Sequence, residues 1–135
     1  MRLAIVASLF NREIVDAMVQ RALERAKEQN LKVTTVVRVP GTYEIPAAVQ
    51  RLLERSDVDA AVALGAVIKG ETKHDDVIMR AAADALLGIG LRTGKPVGLG
   101  ITGPGMTYLQ AKARIDAASR AVDAAKSMHD LLKGL

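Results

Sequence analysis

His74 lies in the stretch LGAVIKGETKHDDV (64–77), where an apolar run gives way at once to Lys69, Gly70, Glu71, Thr72, Lys73, His74, Asp75 and Asp76. It is one of two histidines in the chain, and the only group in this stretch that titrates near neutrality, so it is the first candidate for a general acid or base. Gly70 would let the backbone approach an anion and Thr72 could add a hydroxyl donor, which gives a strand-to-helix junction here the makings of a phosphate site. A plain helix start, with Thr72 as N-cap and Asp75 and Asp76 in the first turn, is compatible with that chemistry. His129 falls near the end of a C-terminal helical stretch, where packing or capping is the natural role.

Two further clusters follow apolar runs. Phe10, next to Asn11, could stack on a flat heterocycle, and it counts for more because Phe10, Tyr43 and Tyr108 are the only aromatic residues. After Gly41, the carboxylate of Glu44 could accept hydrogen bonds from ligand hydroxyls, or serve as a first-turn carboxylate ahead of Pro46. GLGITG (98–103) matches the dinucleotide pattern G-x-G-x-x-G, but it begins inside an apolar run and no later strand follows to supply the acidic residue a ribose needs. There is no P-loop, no metal-ligand spacing and no cysteine, so neither a metal nor an organic cofactor is expected.

The elements that must hold these residues show as alternation. Four apolar runs, LAIVAS (3–8), KVTTVVRV (32–39), AAVALGAVI (60–68) and PVGLGIT (96–102), alternate with stretches of helical periodicity. Near-continuous apolar runs predict strands buried on both faces. Ile14, Val15, Met18, Val19, Ala22, Leu23 and Ala26 mark one helix, and Ala48, Val49, Leu52 and Leu53 a shorter one. Val77, Ile78, Ala81, Ala82, Ala85, Leu86 and Ile89 mark a third, and a single helix over about 106–132 is predicted last, after a turn at Gly103, Pro104 and Gly105. The expected fold is an α/β, flavodoxin-like three-layer sandwich: one domain over 1–135, with a four-stranded parallel sheet in the order 2-1-3-4 and helices on both faces. In such sheets ligands bind beyond the carboxyl ends of the strands, and all the unusual residues gather on that rim.

Composition narrows the class. A chain of 135 residues, 50% hydrophobic and 25% charged, suits one globular domain. Its net charge of +4 comes from scattered residues, which argues against nucleic acid as a partner. No apolar run approaches the roughly 18 residues needed to span a membrane, the apolar start is too short for a signal peptide, and the cytoplasm is the expected compartment.

Together IVASLFN (5–11), VRVPGTYEIP (37–46) and LGAVIKGETKHDDV resemble, in order and spacing, three blocks of the lumazine synthase family; a fourth, KPVGLGITGPGMTYLQAKAR (95–114), is similar to the archaeal version. The resemblance covers nearly the whole chain. It implies condensation of 5-amino-6-(ribitylamino)uracil with 3,4-dihydroxy-2-butanone 4-phosphate, the penultimate step of riboflavin biosynthesis. By the same resemblance His74 carries protons, Phe10 stacks on the pyrimidine, and the ring and ribityl chain are met by Asn11, Gly41, Thr42, Tyr43, Glu44, Ala66, Val67 and Ile68. Phosphate falls to Gly70, Glu71 and Thr72, with Arg114 arriving from a neighbouring subunit.

The family assembles as pentamers with sites between subunits, and some members close twelve pentamers into an icosahedral shell; association with riboflavin synthase is a further implied partnership. Leu99 stands where many bacterial members present a phenylalanine over the substrate ring, and Lys73 where proline or a small residue is common. Arg120 and Asp123 are the counterparts of an auxiliary basic-acidic pair. Two rival functions remain: the archaeal type of riboflavin synthase, which dismutates the lumazine, and a non-catalytic binding or shell-forming module.

Overall fold

The computed structural model describes residues 1–70 and 74–135. Two strands with almost no polar side chains, β1 (Arg2–Ser8) and β3 (Ala60–Ile68), form the centre of a parallel sheet. β2 (Lys32–Val39) and β4 (Val97–Met106) flank them, giving the order β2-β1-β3-β4 that the alternation predicts. Burial follows position in the sheet: every residue of β3 is buried, whereas the edge strands β2 and β4 are only partly covered, contrary to the two-sided burial expected of all four runs. Edge strands have one neighbour each, so apolar sequence alone does not bury them.

Side chains alternate across the sheet into two cores. On one face Leu3, Ile5, Val62 and Leu64 pack with Ile14, Val15, Met18 and Ala22 of α1 (Arg12–Glu28) and with Ala118, Ala121, Val122 and Ala125 of α5 (Ala117–Lys133). On the other, Ala4, Val6, Ala61 and Ala63 meet Val49, Leu52 and Leu53 of α2 (Ile45–Leu53) and Leu86 and Ile89 of α3 (Asp75–Thr93). The predicted inner stripe of α3 is therefore narrower than its sequence suggests: Ala82, Leu86 and Ile89 turn inward, while Val77 is exposed.

The C-terminal third departs most from expectation. β4 does not stop at Thr102 but continues through Gly103, Pro104 and Gly105 to Met106, across a cis Gly103–Pro104 peptide. The Lys69 N–H donates to the Met106 carbonyl at 2.7 Å and the Gly105 N–H donates to the Asp75 carboxylate at 3.0 Å. Gly103, at φ +110°, is required here, because a Cβ would run into the Val67 carbonyl. The predicted single last helix is two. Thr107 and Gln110 form a capping box that starts α4 (Tyr108–Lys112), and bonds of the tighter i to i−3 kind, from Arg114 to Ala111 and from Ala117 to Arg114, turn the chain before α5.

Candidate active site

A cleft of about 270 Å³ opens at the carboxyl ends of β1, β2 and β3, lined by Phe10, Gly41, Thr42, Tyr43, Glu44, Ala66, Val67, Ile68 and Ile78. Eight of these nine are residues that the sequence offered to substrate, and the ninth, Ile78, it read only as part of a helix stripe. Ile78, on α3 one turn after His74, is the addition, and its helical spacing from His74 is the signal that could have found it.

Phe10 is presented by a loop pinned on both sides. The Leu9 N–H donates to Val39 O at 2.7 Å, the Phe10 N–H to Pro40 O at 3.3 Å, and the Ser8 hydroxyl to Phe10 O at 3.3 Å. Arg38 donates to Ser8 O at 3.1 Å and pairs with Asp16. Asn11 takes the left-handed conformation, which asparagine tolerates, and its amide donates to Ala66 O at 2.9 Å. These ties leave Phe10 55% exposed, its ring free to meet a flat partner. Asn11 therefore holds the loop against β3 with the side chain that the sequence offered to substrate.

The opposite wall is a 3₁₀ turn over Thr42–Glu44 that the sequence did not reveal. It sits low because β3 carries Gly65 beneath it: a Cβ there would lie 2.9 Å from the Thr42 hydroxyl. Thr42 is consequently buried, while Tyr43 and Glu44 project outward, the Glu44 carboxylate lying over Gly41. The floor is the end of β3. Pairing with β1 stops at Leu64, so the strand runs on for four residues, and Ala66, Val67 and Ile68 line the cleft.

Beyond the floor, Gly70 is exposed with φ +89°, and among the described residues no atom beyond its chain neighbours lies within 4 Å of a notional Cβ. Glu71, Thr72 and Lys73 lie outside the described residues, and with them part of the expected phosphate cradle. His74 is exposed and is itself the N-cap residue of α3, without a side-chain capping bond; the helix begins later than a Thr72 cap would place it.

The remaining candidates are not brought to this cleft. Leu99 lies 47% exposed on β4 and lines a separate apolar groove with Leu87, Leu91, Met128 and Leu132. Arg114 is exposed in the turn between α4 and α5, and Arg120 is exposed on α5. Asp123 accepts from Arg25 at 2.7 Å and from Gln29 at 3.3 Å, joining α5 to the far end of α1. His129 lies half-buried near the end of α5. Among the described residues, none that lines the cleft carries a positive charge. Among the described residues no group of three or more His, Asp or Glu side chains is gathered as for a metal ion, and no helix is long and apolar enough to cross a membrane.

Comparison with known proteins gives a consistent result over the full length. Residues 1–134 match the model of a family described as 6,7-dimethyl-8-ribityllumazine synthase. The chain is 51% identical over 135 residues to the 6,7-dimethyl-8-ribityllumazine synthase of Staphylothermus marinus, covering 99% of this chain and 90% of that protein. It is 48% identical over 134 residues to the protein of the same name from Methanopyrus kandleri, covering 99% and 95%. A third, from Metallosphaera sedula, is 47% identical over 138 residues, covering 98% and 91%.

Proposed function

The chain belongs to the 6,7-dimethyl-8-ribityllumazine synthase family, and we propose that its cleft condenses 5-amino-6-(ribitylamino)uracil with 3,4-dihydroxy-2-butanone 4-phosphate, releasing phosphate and water. The observation that carries this reading is the order of groups along one cleft. An exposed phenyl ring comes first, then the end of β3, with a carboxylate on the facing wall, and just past this lining stand an exposed glycine with positive φ and the histidine that opens α3. A flat ring, its polar edge, a phosphate and a polyol find matching chemistry in that sequence of groups.

The pyrimidine stacks on Phe10 and its edge is read by the backbone of Val67 and Ile68, while the ribityl chain runs toward Glu44. Phosphate rests at Gly70 with Glu71 and Thr72. The 5-amino group attacks the ketone to give an imine with loss of water; phosphate then leaves, and the ribitylamino nitrogen closes the ring with loss of a second water. Each step moves a proton, and His74 is the group at this rim suited to carry it. Much of the acceleration comes from holding the two substrates in contact.

A dianionic phosphate needs a cation, and among the described residues the cleft's own lining has none. Arg114 supplies it from an adjacent copy, as Leu99 supplies cover for the ring, in a pentamer with its sites between subunits. The exposure of both residues away from their own chain's cleft supports this arrangement, as does the apolar groove that Leu99 lines. As an enzyme acting on small polar metabolites, it works in the cytoplasm.

The test is formation of the lumazine, followed by absorbance and fluorescence with both substrates and in controls lacking either one or the protein. Product above the uncatalysed background is expected. A folded, assembled protein that gives none would overturn the reading, and supplying the lumazine itself would then show whether the chain dismutates it or merely binds it.

A further inference from the structure

The turn that carries Arg114 is tied to α1 on both sides. Upstream, the Tyr108 hydroxyl donates to Glu13 at 2.7 Å and the Lys112 ammonium lies 3.4 Å from the other Glu13 oxygen. Downstream, Arg21 pairs with Asp116. Arg114 thus stands two residues after one tie and two residues before the other. Its own backbone is held locally, the N–H donating to Ala111 O and the carbonyl accepting from the Ala117 N–H, both at 3.0 Å.

These ties matter because the apolar hold on α4 itself is small. α4 has five residues, too few to be stable alone, and Ala111 is the one residue it buries. The core holds the segment through Ala111 and the partly buried Ile115 and Ala117, and the two polar contacts add the ties that set the turn directly against α1. A guanidinium that must meet a phosphate in fixed geometry loses much of its value when its backbone wanders.

We propose that Glu13 and Arg21 are positioning residues for Arg114, setting how well a chain receives the phosphate of the butanone substrate at the site it completes. The inference rests on the reading of Arg114 as the phosphate-binding cation. Glu13 lies three residues after Phe10, so the helix that follows the loop of the stacking ring also orients the arginine. Each tie is solvent-exposed and individually weak, so the effect is graded.

Glu13→Ala, Arg21→Ala and their combination, each alone and with Arg114→Ala, are assayed in the assembled enzyme. The combined variant is expected to raise KM for the butanone phosphate and Ki for inorganic phosphate about three- to tenfold, with kcat and KM for the pyrimidine within about twofold. Arg21→Lys, which keeps the pair with Asp116, should restore most of its share. In the Arg114→Ala background the same substitutions should add nothing. If Arg114→Ala raises both phosphate readouts but the α1 variants leave them unchanged, or act equally in its absence, the positioning role is wrong. If Arg114→Ala itself changes neither, the reading of Arg114 fails and this inference with it.

Discussion

His74 stands in solvent at the start of α3, without a side-chain capping bond to the helix it opens. An exposed acid-base group shares its work with water and buffer, so its loss should fall at the lower end of what general acid-base catalysis contributes. His74→Ala is expected to lower kcat about a hundredfold while changing the KM of either substrate much less. Steady-state kinetics with added imidazole provides the check: partial rescue marks a lost proton carrier, and an unchanged kcat removes His74 from the mechanism. Such residues are readable from sequence because their chemistry is carried by the side chain itself and their neighbours are local. Asn11 is the counter-example. Its amide bonds Ala66, 55 positions away, and no local pattern shows that a polar group beside the cleft is engaged in holding the loop.

Among the elements, the central strands follow directly from their apolar sequence, and their ends show how the sheet is fastened. The Arg2 guanidinium makes two contacts to Asp59, at 3.0 and 3.1 Å, and the Arg2 N–H a third at 2.7 Å, joining the start of β1 to the residue before β3. The Arg2 contacts hold the Asp59 carboxyl far below its ordinary value of 3.8, first through the side-chain hydrogen bond, with burial opposing. A depressed carboxylate stabilises the fold above the unfolded-state value and loses that contribution as pH falls through the folded one. Stability should therefore decline as acid is added below about pH 4, in part through Asp59. Asp59→Asn should cost about 1–2 kcal/mol near neutrality and flatten that part of the decline. Denaturant unfolding at fixed protein concentration across pH 2–7 measures both; an equal acid slope in the variant would assign the loss to other carboxylates. The C-terminal elements are less legible. The continuation of β4 to Met106 depends on Lys69 and Asp75, and the break before α5 on contacts from α1, whereas local periodicity reads one long helix.

For the molecule as a whole, the exposed apolar surface is the feature that one chain does not explain. Leu91 is 76% exposed and Leu87 66%, on a helix whose other face is already in the core, and both line the groove with Leu99 beside an edge strand. A surface of this kind calls for a protein partner, and an adjacent copy would bring Leu99 and Arg114 with it. That arrangement makes a prediction that no single-chain site can meet. His74→Ala and Arg114→Ala chains are each impaired alone, because every site then lacks one group. When they are unfolded together and reassembled in equal amounts, a site formed by the cleft of an Arg114→Ala chain and the arginine of a His74→Ala neighbour is intact. Random placement makes about a quarter of all sites of this kind in a closed ring. Mixed assemblies should accordingly recover about a quarter of wild-type turnover, above the mean of the two parents, while mixtures that were never disassembled should not. Size-exclusion chromatography with light scattering confirms that the assemblies are equal in mass. Recovery no greater than the parental mean would place His74 and Arg114 in the service of the same chain.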